Sequence, residues 1–269
     1  MMVADDPIGS TFANRFYDSD PPSEYTLPDQ IVRMIARRSH RKFLAKKVSD
    51  AMIEAITAAA LSAPSKSDFQ QATIIFIRSE EIRERFAKII PANPWLASTP
   101  HIAVFCADTY RLRAATEMNG KPQENNDLEA FFNATVDAAL VMQTFIIAAE
   151  SLNLGCCPLS AVRFQMDQIG PLLKLPNGVF PVAALGFGHP EEQGHISMRL
   201  PQSVTVQTDE YDDRELLNHI KKYDDRRLRV TTGSTTPMAW SKAKTEQLAA
   251  TRSEPFVAFL KKAGINLGQ

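Results

Sequence analysis

The stretch IARRSHRKF, residues 35–43, crowds Arg37, Arg38, Arg41 and Lys42 around Ser39 and His40. Guanidinium forks and a hydroxyl in such a run can donate to phosphoryl oxygens, which makes a phosphate clamp one reading. The other is that cations at a helix C-terminus complement the helix dipole, at about 0.3–1 kcal/mol each. From these residues alone both stand open. The chain carries a formal net charge of −1, so any anion site must be local.

Three more stretches carry usable groups. SAPSKSDFQQ (62–71) puts Ser65, Ser67, Asp68 and Gln70 into a turn after a proline that stops a helix. Ser and Asp often bond their own backbone in turns, and with no G-x-S-x-G elbow a serine hydrolase has weak support. LGCCPLSAVR (154–163) is a strand of small residues that lets a flat ligand approach, or simply packs tightly. GFG at 186–188 lacks the third glycine of a dinucleotide fingerprint. Arg199, in MRLP (198–201), reads alone as a surface cation. His189 and His195 bracket a Gly/Pro-containing loop without metal-site spacing. No triad or carboxylate dyad stands out, so no side chain is assigned as catalytic and none as a metal ligand.

Elements must hold these residues in place. Helical periodicity covers roughly 28–37, 50–62, 80–90, 128–152, 165–174, 213–228 and 240–263, with Ser49 and Ser79 as N-caps. Strand-like runs are ATIIFI (72–77), HIAVFCA (101–107), CCPLSAV (156–162) and FPVAALGF (180–187). They are almost continuously apolar, so helices should cover both sheet faces. The expected fold class is α+β, a layered fold with a mixed or antiparallel sheet of about four strands flanked by helices. The 128–152 helix is apolar nearly all round, which predicts burial on every side, in the core or across a dimer interface.

The 269 residues, 44% hydrophobic and 23% charged, are ordinary for a globular protein. Residues 1–26, with Pro21-Pro22 and several Asp and Ser, read as an N-terminal extension or arm, and 27–269 as a single domain. Near-neutral charge gives no reason to expect nucleic acid, and no uninterrupted apolar run suggests a membrane span. Cys106, Cys156 and Cys157 make no disulfide framework. With an N-terminus lacking a basic start and an apolar stretch, a cytoplasmic location is expected.

Taken together, in this order and spacing, these stretches resemble the flavin-dependent nitroreductase superfamily. The resemblance is strongest to its NADPH-dependent oxygen-insensitive nitroreductase and flavin reductase branch. Arg37–Phe43 matches the R-x-S-x-R-x-F type motif, and Ala63–Gln70 matches the serine turn. VFCAD (104–108), AAESLNLG (148–155), KLP (174–176), LGFGHP (185–190), MRLP and SEPFVAFLKKAGI (253–265) follow in register, from about residue 28 onward. The resemblance implies a homodimer with FMN at each of two interface sites. It assigns Arg38, Ser39 and Arg41 to the FMN phosphate and ribityl chain, with Arg37 alongside through its main chain. Ser65, Ser67 and Gln70 would edge the flavin, and Asn93 would face its pyrimidine ring. Pro158, Leu159, Ser160 and Ala161 would lie against the isoalloxazine, and Arg199 would close the phosphate site.

The implied activity is two-electron, ping-pong reduction of small-molecule acceptors (nitroaromatics, quinones or flavins), with NADPH or NADH as donor. Flavin N5 would carry the chemistry. The alternatives are a non-catalytic FMN-binding or sensing protein, or a member with a specialised non-nitro substrate. Three departures stand out. Asp68 replaces an Asn or apolar residue. Ser197 stands where the branch has Lys. VTTGSTTPMAW (230–240) holds no Arg or Lys where the branch places arginines for the NADPH 2′-phosphate, with Arg226, Arg227 and Arg229 just upstream.

Overall fold

The computed structural model describes residues 8–16, 26–121, 127–230, 238–249, 254–262 and 264–266. In chain order the elements begin with α1 (Ile8–Phe16), α2 (Asp29–Ile35), α3 (Asp50–Leu61), β1 (Ala72–Ile77) and α4 (Glu80–Ile89). Then come β2 (His101–Asp108), α5 (Tyr110–Met118), α6 (Leu128–Ser151), β3 (Gly155–Leu159) and α7 (Met166–Leu172). The last are β4 (Val179–Gly188), α8 (Gln202–Thr205), α9 (Leu216–Arg229), α10 (Trp240–Leu248) and α11 (Glu254–Lys262). Short 3-10 turns lie at Lys66–Asp68, Pro94–Ser98 and Ala161–Gln165. Both expected serine caps form: Ser49 Oγ accepts from the Met52 N–H, and Ser79 Oγ from the Ile82 N–H.

The chain divides into two compact units, Met1–Arg38 with Gly194–Thr251, and Ser39–Gln193 with Arg252–Gln269. The second unit holds the sheet, in the order β1-β2-β4-β3 with every pair antiparallel. Strand alternation sorts the core. Ala103 and Phe105 of β2 pack with Ile53 and Ile56 of α3 and Phe145 and Ile146 of α6. Ile102, Val104 and Cys106 face the other way, toward Phe86 of α4 and Ile169 and Leu172 of α7. Central strands covered on both faces need apolar side chains at every position, which is why β2 and β4 read as continuous runs.

Burial of α6 is one-sided. Ala134, Ala138, Val141, Phe145, Ile146 and Ala149 are buried, yet Leu128, Phe132, Val136 and Leu140 are exposed. By length and composition α6 could cross a membrane, but its buried face is part of this core. Within one chain the burial covers one face, where α3, the sheet and Leu260 of α11 pack.

Two expectations are corrected. The 156–162 run is strand only to Leu159, after which the chain turns into a 3-10 segment. The 240–263 pattern is two helices in different units, with Pro255 in the first turn of the second, where proline favours a helix start. Helix α5 carried no clear apolar period. Its start is fixed by the Asp108 carboxylate accepting the Arg111 N–H at 3.1 Å.

The first unit gathers α1, α2, α8, α9 and α10. Thr11, Phe12 and Arg15 of α1 are buried. Tyr223 of α9 meets Trp240 edge-on at 6.2 Å. The Asp224 carboxylate accepts the Ser241 N–H in the first turn of α10, an arrangement favoured at the positive end of a helix.

Candidate functional site

In the second unit, Ser39 bridges Cys156 of β3, and the His40 N–H donates to the Cys156 carbonyl at 3.0 Å. The His40 ring lies over Gly155, where a Cβ would sit 2.7 Å from Cγ of the ring. The smallness of Gly155 thus serves His40 and the register of the cationic stretch. Of the cations, Lys42 pairs with Glu192 at 3.1 Å and Arg41 is exposed.

Arg37 and Arg38 belong to the first unit and are half-buried. The Arg38 Nε–H is buried with no acceptor among the described residues. A buried guanidinium donor without an acceptor costs about 1–3 kcal/mol, so an anion arriving there would relieve it. Arg199 is exposed, donating to Ser197 Oγ at 2.7 Å, and its backbone N–H donates to the Arg15 carbonyl at 2.9 Å. It lines a cleft of about 610 Å³ with Tyr223, Arg227, Trp240 and Lys244.

The serine turn is strained. Ser67, Asp68 and Gln70 have φ of 48°, 59° and 50°, left-handed values that cost a non-glycine residue about 1–3 kcal/mol each. Long-range contacts hold it. Asp137, 1% exposed on α6, accepts the Lys66 and Gln71 backbone N–H groups at 3.0 and 3.1 Å. The Arg111 guanidinium donates to the Gln70 carbonyl, to Thr73 Oγ1 at 2.8 Å and to Asp108 Oδ2 at 3.2 Å. Gln70 spends a side-chain N–H on Asp68 Oδ1 at 3.0 Å. Ser65, Asp68, Gln70, Arg111 and Asp137 line one cleft of about 690 Å³; Ser67 is exposed.

Asn93 lines a different cleft, of about 720 Å³, with Lys47, Arg78 and Arg83. Its Oδ1 accepts the Trp95 indole N–H at 3.3 Å, which leaves the amide N–H₂ to donate. A Cβ at Gly186 would meet the Trp95 ring at 2.6 Å, so the GFG glycines serve packing. Pro158 and Ser160 are exposed and Ala161 half-buried. Leu159 sends its side chain into the core beside Phe86 and Val162.

The sequence alone does not mark Arg15 or Arg111. Asp137 left one usable signal, a lone acid midway along an otherwise apolar helical face. Covalent catalysis by a thiol has no support at Cys106, whose pKa is pushed up to about 12 by burial and then by Asp108. Guanidinium donors stand at Arg38 and Arg199 and an amide donor at Asn93, each suited to an oxygen acceptor.

The nitroreductase family model matches residues 34–189, and the model of that family's C-terminal domain matches 197–268. FMN reductase [NAD(P)H] of Bacillus subtilis is 34% identical over 192 residues, covering 70% of this chain and 77% of that protein. Oxygen-insensitive NADPH nitroreductase of Salmonella typhimurium is 33% identical over 208 residues, covering 76% and 83%. Among solved structures, B. megaterium NfrA2 superposes with a TM-score of 0.86 at 29% identity, covering 90% of this chain and 100% of its own. The NADPH:FMN oxidoreductase of Vibrio harveyi, complexed with NAD⁺, gives 0.79 at 27% identity, covering 88% and 99%.

Proposed function

The chain belongs to the nitroreductase family, and from that premise we propose an FMN-dependent NAD(P)H oxidoreductase reducing nitroaromatics, quinones or flavins. The named activities of its relatives support this reading. One observation of the structure carries it furthest: the buried Nε–H of Arg38, inside the cationic stretch, meets no acceptor among the described residues. A phosphate monoester is the acceptor that fits a guanidinium with a hydroxyl beside it.

When bound, FMN would supply the two-electron chemistry. Arg38, Ser39, Arg41 and Arg199 would hold its phosphate, with Arg37 engaged through its main chain. Ser65, Ser67 and Gln70 would border the ring system on a turn held rigid by Asp137. Pro158, Ser160, Ala161 and the backbone of Leu159 would form a wall. The Asn93 amide would donate toward the pyrimidine edge, where donors favour negative charge. The reading includes a homodimer, a cytoplasmic location, and residues 27–269 as one FMN-binding domain behind an N-terminal arm.

The purified protein is expected to be yellow and to release FMN on denaturation. Arg38→Glu should lose the cofactor, since it replaces a charge-assisted bond of about 1.5–3 kcal/mol with repulsion. Anaerobic mixing with NADPH or NADH should bleach the visible absorbance at a rate compatible with turnover. A colourless protein that binds no FMN would overturn the reading. A yellow one that neither donor bleaches would leave a binding protein, not an enzyme.

A further inference from the structure

We infer that Arg15, on α1, is a positioning residue for the phosphate-binding cations, an inference that rests on the FMN reading above. The helix lies ahead of residue 34, where the family model begins. Arg15 is 5% exposed. Its Nε–H donates to the Ile35 carbonyl at 3.0 Å, and one terminal nitrogen donates to the Arg37 carbonyl. The other terminal nitrogen reaches the Ser197 carbonyl at 2.5 Å and Ser197 Oγ at 3.2 Å. The Arg15 carbonyl in turn accepts the Arg199 N–H at 2.9 Å.

One side chain therefore ties together the two chain segments of this unit that carry its candidate phosphate cations. The last carbonyls of a helix are left without intrahelical partners, and their partial negative charge suits a cation. By capping Ile35 and Arg37, Arg15 fixes where the chain leaves α2, and so where Arg37 and Arg38 stand. By holding Ser197 it fixes the hydroxyl on which the Arg199 guanidinium rests. Planar fork geometry makes this possible, because one guanidinium serves carbonyls in several directions at once. Removing it frees both segments and withdraws a buried positive charge from between them.

The role is specific to the phosphate, so the test compares FMN with riboflavin, which lacks it. Apo-protein is titrated with each ligand by fluorescence, in the wild type and in Arg15→Gln, with folding checked by circular dichroism. Arg15→Gln should weaken FMN binding at least tenfold and leave riboflavin binding within twofold, with Arg15→Lys falling between. An FMN-to-riboflavin ratio unchanged in Arg15→Gln, or equal loss of both ligands, would overturn the positioning role. If Arg15→Gln does not fold, Arg15→Lys carries the same readout: at least a threefold selective loss of FMN supports the role, and an unchanged ratio overturns it. A wild type that binds FMN no better than riboflavin would instead overturn the FMN reading itself.

Discussion

The Asp137 carboxylate, buried on α6, accepts the Gln71 backbone N–H at 3.1 Å while its other oxygen takes that of Lys66. Between those two donors lie the three left-handed residues of the serine turn. A buried acid is thus the clamp that keeps a strained backbone closed. Asp137→Asn keeps the shape but turns one acceptor into a donor facing an N–H. The expected loss is about 1–3 kcal/mol, read as a drop in Tm of several degrees together with weaker FMN binding. A Tm within a degree of wild type would show that the turn holds without the second acceptor.

Asp68 competes for Gln70. Its carboxylate takes an N–H of the Gln70 amide at 3.0 Å, a donor the flavin would otherwise use. Asp68→Ala should tighten FMN binding by about threefold to tenfold, up to roughly 1.4 kcal/mol. Weaker binding in this variant would mean that the acid orients Gln70 productively.

Arg226, Arg227 and Arg229 of α9 lie just upstream of the arginine-free segment. Arg226 donates to the Ala13 carbonyl at 2.7 Å, whereas Arg227 donates to the Met238 carbonyl and lines the cleft of Arg199 and Lys244. Residues 231–237 of the arginine-free segment lie outside the described residues. NADPH and NADH are expected to serve with similar kcat/KM, because hydroxyls contribute roughly half as much as charged donors. A preference for NADPH above about a hundredfold, roughly 2.7 kcal/mol, would sink this, and Arg227→Ala would then be the first variant to make.

The exposed stripe of Leu128, Phe132, Val136 and Leu140 recurs every four residues along α6, one side of a helix. Such a stripe is expected to close against a second copy, in an interface above about 2,000 Å². Phe132→Asp should give a monomer by light scattering and lose FMN with it. Wild-type protein that is monomeric at low micromolar concentration yet retains FMN would rule the dimer out.

His101 supplies a pH dependence. Its Nε2 accepts the Val48 N–H at 3.0 Å, which requires the neutral ring. Burial first, then Arg83, Arg78 and Lys47, lower its pKa below 6.5. The unfolded chain then binds the proton more readily, so this contribution to stability is complete above about pH 6.5 and is lost as pH falls toward the lowered value. Tm measured from pH 7.5 to 5 should decline, and His101→Asn should flatten that slope. An unchanged slope in the variant would exclude His101 as its source.

Local pattern determined much of this molecule. A run of β-branched and aromatic residues marks β1 over the same six residues in sequence and structure, because such side chains suit a pleated, half-buried edge strand. Serine ahead of an acidic first turn marked two helix starts, since the cap bonds lie within three residues. The cationic stretch and the serine turn were legible because their chemistry is written in adjacent residues. Tertiary structure decided what joins them. Asp137 reaches a turn some seventy residues away, Arg15 reaches Ser197 across 182, and neither leaves a period in the sequence. The strand order β1-β2-β4-β3 and the one-sided burial of α6 are likewise set by which surfaces meet. Helical periodicity says that a face is apolar; only packing says whether the same chain covers it.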